Sequence, residues 1–112
     1  MSINRVKQFI EDYEEHQQRK LTLYNRLMNL SGNDLFQEES LMQRLDKLEQ
    51  QEDELLYIIH EADVLTDRQA MSVILRMEGK TLEEIGNVFL VSRERARQML
   101  NESYKLIADK IR

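Results

Sequence analysis

The sequence predicts an all-α chain: a long helical hairpin over residues 1–63, then a compact unit of three or four short helices over residues 64–112. Three observations predict it. The chain has no proline and three glycines, too little punctuation for strands and hairpin turns but well suited to long helices. Its apolar residues, 41% of the total against 33% charged, recur at steps of three and four, the pattern of amphipathic helices and not of disorder. One short cluster of turn formers, Ser31-Gly32-Asn33-Asp34, divides the first half in two.

The first helix is expected over residues 2–30, with Ser2 as its N-cap. Ile3, Val6, Ile10, Tyr13, Tyr24 and Leu27 lie on one heptad seam, and Gln17 and Lys20 continue that series through its middle. Gly32 can close this helix at positive φ, and Asn33 or Asp34 can cap the next. The second helix is expected over residues 35–63. Its seam, Leu41, Leu45, Leu48, Glu52, Leu55, Ile59 and Ala62, has one polar member. Folding the two helices together sets Glu52 opposite His16 and Gln17, so either a polar layer forms there or Glu52 reaches out to solvent. Two helices make a thin core. The coiled-coil-like arm is therefore expected to dock on the C-terminal unit or to pair with a second copy.

Charge is unevenly distributed. The total is −5, but residues 1–64 carry 7 basic and 14 acidic side chains, a net of −7, whereas residues 92–112 carry 6 and 3, a net of +3. A basic C-terminal segment suits phosphate, while overall acidity weakens non-specific attachment to nucleic acid and favours action with a second subunit or partner. The absence of cysteine excludes disulfides and thiolate metal sites. His16 and His60 are the only histidines, not at ligand spacing with each other, so no metal and no cofactor is expected. Neither a Ser/His/Asp arrangement nor a Gly-rich phosphate loop stands out, and no enzymatic activity is expected. The N-terminus has no signal-peptide character and no apolar run is long enough for a bilayer. The expected location is the cytoplasm, with no membrane contact.

The stretch from 64 to 98 is the most informative. Thr66 caps a helix running to residue 78, with Leu65 and Ala70 at hydrophobic-staple positions. Ala70, Val73, Ile74 and Met77 form its inner face, and Gly79 ends it. Thr81 and Glu84 then form a capping box at the start of a helix over 82–89 that turns Leu82, Ile85 and Phe89 inward. Gly86 costs that helix about 1 kcal/mol relative to alanine, which makes sense where another helix crosses closely, as in a helix-turn-helix. Val91 enters the core and Ser92 caps the next helix, expected over 93–104.

On a 3.6-residue period Ala96 and Met99 point in, while Arg93, Glu94, Arg97 and Gln98 share the outer face of the first turns. These residue types match base edges: arginine with guanine, glutamine with adenine, glutamate with the cytosine amino group. They sit where a recognition helix reads the major groove. Lys80, Thr81, Ser92, Arg95 and Lys105 flank them and suit phosphate, through cationic groups or helix starts. The bland alternative is a solvated face with Arg93, Glu94 and Arg97 paired among themselves.

The run LTDRQAMSVILRMEGKTLEEIGNVFLVSRERARQ resembles region 4 of bacterial sigma-70-type factors, the domain that recognises the promoter −35 element. Residues 81–86 and 91–98 fit the family pattern, T-L-E-E-[IV]-G followed by V-[ST]-R-E-R-x-R-Q, almost residue for residue. The resemblance implies a sigma region 4-like helix-turn-helix with Arg93, Glu94, Arg97 and Gln98 facing bases. Two positions depart from it. Leu90 occupies the turn where the family usually has Gly or Asp; a leucine resists positive φ, so either the turn differs or Leu90 covers a hydrophobic neighbour. Ala96 is smaller than the usual Ile or Val. A complete sigma factor also has an aromatic-rich −10 region, which the tryptophan-free arm does not resemble. The expected function is a sequence-specific duplex-DNA-binding transcription regulator of phage or prophage type, acting as a homodimer. One alternative is a modulator that binds the RNA polymerase β flap through helix 67–78, or a split-sigma partner. Another is a subunit resembling a phage small terminase.

Overall fold

The structure, a computed structural model, describes residues 1–30, 35–60 and 63–111. These form six α-helices: α1 (Ile3–Glu11), α2 (Tyr13–Met28), α3 (Leu35–His60), α4 (Asp67–Met77), α5 (Leu82–Phe89) and α6 (Arg93–Lys110). The all-α expectation is met, with a long arm preceding a three-helix unit. Among the described residues no helix is long and apolar enough to cross a membrane. The expected turn at 31–34 and the seam residue Ala62 lie outside the described residues.

Ser2 caps α1 by accepting the Arg5 N–H at 3.2 Å. The single helix expected over 2–30 is bent at Asp12 (φ −103°, ψ 21°). Helical bonding continues on both sides: Asp12 N–H donates to the Gln8 carbonyl at 2.9 Å, and His16 N–H to the Asp12 carbonyl at 3.0 Å. The bend has a packing reason. α1 lies against α4 and α6, whereas α2 runs along α3, and one straight helix would not serve both directions.

Val6 and Ile10 of α1 are wholly buried in a core shared with Leu55 and Ile58 of α3, Val73 of α4, Ile85 of α5, and Leu100, Tyr104 and Ile107 of α6. This core therefore crosses the junction near residue 63. Two polar contacts reinforce the docking of α1. Arg76 Nη2 lies 3.0 Å from Glu11 Oε1, and the Met1 ammonium donates to the Ile111 carbonyl at 2.8 Å.

Further along the arm, Leu41, Leu45, Leu55 and Ile59 are buried along the expected seam of α3. Glu52 is buried too and forms the polar layer. Its carboxylate accepts from Tyr13 Oη at 2.9 Å, Gln17 Nε2 at 2.9 Å and Lys20 Nζ at 2.5 Å. Burial pushes this carboxyl up, but the three donors, led by Lys20, outweigh it and hold it below the usual carboxylate range. Burial and the adjacent carboxylate push the Tyr13 phenol up to about 12. His16, expected to face Glu52, instead packs its ring on Phe9 at a centroid distance of 4.7 Å. Its Nε2 is buried without a hydrogen-bond partner, and burial lowers its pKa, with Lys20 and Arg19 adding to the shift against the pull of Glu52.

Candidate nucleic-acid interface

Each helix of the C-terminal unit starts on a side chain that closes its own end. Thr66 Oγ1 accepts the Gln69 N–H at 3.2 Å while Gln69 Oε1 accepts the Thr66 N–H at 3.0 Å, a capping box that adds Gln69 to the expected threonine cap. Thr81 and Glu84 form the expected box on α5, both bonds at 3.1 Å. Ser92 Oγ accepts the Arg95 N–H at 3.0 Å and fixes the first turn of α6. Gly79 takes φ +87° after α4, as its position predicts. The Thr81 backbone N–H, received by the Glu84 carboxylate, holds that carboxyl below its usual range.

Gly86 is buried, but its close neighbour is not the crossing helix that the sequence suggests. A Cβ there would lie 2.7 Å from the Val91 carbonyl oxygen and 3.3 Å from the Ser92 carbonyl. The missing side chain lets the connecting backbone fold over α5 and bring α6 back across it. That connection includes Leu90, which adopts the left-handed conformation (φ 56°, ψ 43°). Of the two alternatives for this residue, neither a reshaped turn nor a covering role is found: its side chain is 91% exposed. Val91 N–H donates to the Gly86 carbonyl at 2.9 Å and closes the turn. Arg68, which the sequence did not single out, braces it from α4. Its guanidinium donates to the Phe89 carbonyl at 3.2 Å and lies 5.3 Å from the Phe89 ring centre.

α6 is longer than the expected 93–104 and runs to Lys110. Ala96, Met99, Leu100, Ser103, Tyr104 and Ile107 are buried on one side. Arg93, Glu94, Arg97 and Gln98 are all exposed on the first two turns of the other. Within that face Arg97 Nε donates to Glu94 Oε2 at 3.0 Å, and this contact holds the Glu94 carboxyl low. Arg95 stands to the flank, 3.7 Å from Glu102 and 3.4 Å from Gln98 Oε1. The partial pairing that the bland reading anticipates is thus present for Glu94 and Arg97. These pairs are exposed, so water and salt screen them and a ligand can replace them. Lys80, Thr81, Ser92 and Lys105 are also exposed, the first three at the starts of α5 and α6.

The comparison with known families agrees with this geometry. Residues 60–105 match the family Sigma-70, region 4. No curated protein and no solved structure matches the chain. The C-terminal part of the chain is a sigma-70 region 4-like helix-turn-helix, a DNA-binding fold, with α5 and α6 as its two helices.

Proposed function

We propose that this protein is a sequence-specific transcription regulator of phage or prophage type that lays the first turns of α6 in the DNA major groove. The observation that carries the reading is the placement of Arg93, Glu94, Arg97 and Gln98. All four stand in solvent on a helix whose opposite face is buried and whose start is fixed by the Ser92 cap and the Gly86 contact. Arg93 and Arg97 take guanine edges, Gln98 adenine, and Glu94 the amino group of cytosine. Lys80, Arg95 and Lys105 bind phosphate by charge. The Thr81 and Ser92 hydroxyls each accept a backbone N–H, which leaves their own O–H to donate to a phosphate oxygen. Residues 64–112 act as the DNA-binding domain and residues 1–63 as the arm that brings further copies together. A single module buries too little surface for tight specific binding.

Selection of bound duplexes from a random pool tests the reading. Wild-type protein is expected to enrich one sequence. Arg93→Ala or Gln98→Ala is expected to weaken that sequence by about 1–3 kcal/mol per base contact and to relax preference at one position. An equal loss on random DNA contradicts base reading. A second reading, attachment to RNA polymerase, is favoured by the exposed apolar side chains Met71 on α4 and Val88 and Leu90 at the end of α5. Repeating the selection with polymerase present, and capturing polymerase without DNA, separates the two.

A further inference from the structure

The arm is two-sided in charge. Between α2 and α3 lies an open groove of about 670 Å³. Arg5, Arg19, Arg26, Arg44 and Lys47 line it, and among the described residues no carboxylate does. These are five of the seven basic residues in the first 64, gathered onto one side of a segment whose net charge is −7. All five are exposed, and beneath them lie half-buried Leu23 and Leu48. Among the described residues, the one ion pair made by any of them is Arg19 with Glu15, at 3.9 Å and well exposed.

The other side of the α3 seam has the opposite character. Leu35, Met42 and Glu49 recur at steps of seven, as do Glu39, Asp46 and Asp53, and neither row contains a cation. On α2 the matching row is Leu21 and Met28. Its apolar members are open to solvent: Met28 is 81% exposed, Leu35 68% and Met42 47%. Tyr24, which donates to Glu49 across the two helices, marks the same side.

We propose that the arm associates head to tail, the basic groove of one copy receiving the apolar, acidic flank of α3 from a second copy. A nucleic-acid backbone would match the cations alone. It would leave Leu23 and Leu48 without an apolar partner and the far flank uncovered, whereas a second copy satisfies both surfaces with one contact. Because the two surfaces differ, the contact is heterologous and has no two-fold axis. Copies therefore add in one direction, and the sites they read on DNA need not be inverted repeats. The association does not depend on the DNA reading.

The test is sedimentation of the full chain without DNA at low and high salt. Wild type is expected to form species larger than the monomer at low salt and to lose them as salt rises. The groove variant Arg44→Glu/Lys47→Glu and the flank variant Asp46→Lys/Asp53→Lys are each expected to be monomeric, with wild-type helix content by circular dichroism. Mixed together they are expected to regain the wild-type assembly, since each restores the charge that the other lacks. Arg26→Glu and Met42→Lys read the same two surfaces at other positions should either double variant lose helicity. A wild type that stays monomeric, assemblies that survive both variants, or a mixture of well-folded variants that stays monomeric overturns the proposal. So does a groove variant that associates normally but loses duplex affinity, which would assign the groove to phosphate.

Discussion

The C-terminal unit and the arm are specified in different ways. In α4–α6, Thr66, Thr81 and Ser92 each bond to a backbone group three residues on, and Gly86 meets backbone only five and six residues away. In the arm α2 has no side-chain cap, and its position is set by Glu52, whose three donors lie 32 to 39 residues distant in sequence. A unit built from short-range instructions holds α6 in one orientation. An arm built from one long-range polar layer in an apolar seam is fixed in register but thin, with several large apolar side chains left in solvent.

The largest test of this contrast is Gly86→Ala. The added Cβ meets the Val91 carbonyl at 2.7 Å, and backbone cannot swing aside as a side chain does. The substitution is expected to destabilise the fold by about 3 kcal/mol. It is also expected to remove duplex binding, because the start of α6 must shift. Urea unfolding and a gel shift check both. Unchanged affinity would show that the turn does not set how α6 meets DNA.

Lys20→Ala makes the matching cut in the arm. It removes a charged donor from a carboxylate buried between helices, with an expected loss of about 2 kcal/mol. Duplex affinity per copy should stay unchanged. Acid adds a sign. The folded pKa of Glu52 lies below its ordinary 4.5, so the layer stabilises the fold fully above that value and loses its effect as pH falls through the folded pKa. Without Lys20 the upward push of burial meets less opposition, and the acid loss begins at higher pH. Urea midpoints measured from neutral pH to below 4.5 show whether it does.

The same difference decides what was legible in the sequence. The caps at Thr66, Thr81 and Ser92, the turn at Gly79, the inward set on α6 and its four exposed polar residues could be read because each depends on neighbours within a turn or two. Heptad spacing also exposed the seam of α3 and set Glu52 opposite Gln17, but left open whether Glu52 joins a polar layer or reaches solvent. The bend at Asp12 could not be read: no glycine or proline marks it, and its cause is the docking of α1 on α4 and α6, which is tertiary. The neighbour of His16 is not legible in the sequence for a related reason. Facing residues in a two-helix model differ from those in a bundle where Phe9 turns in beside it. Arg68 and Arg76 carried no local signal, since Arg68 reaches the Phe89 carbonyl and Arg76 the Glu11 carboxylate, both distant in sequence.

Among the described residues Leu90 is the one non-glycine residue at positive φ, against the local preference of its own side chain. A β-carbon in the left-handed region costs about 1–2 kcal/mol, and a side chain 91% exposed recovers little of that by burial. Leu90→Gly removes the strain but adds about 0.5–1 kcal/mol of unfolded-chain entropy, so the expected net effect is a stabilisation of about 0.5–1 kcal/mol. Thermal unfolding would measure it. The informative result is what else changes. Violations of local preference concentrate where a chain uses the offending residue. If Leu90, with Val88, is held outward to meet polymerase, the glycine variant gains stability, keeps its duplex affinity and loses polymerase capture. If all three readouts hold or improve, the leucine has no role at that surface, and the turn carries its strain for no reason visible in the fold.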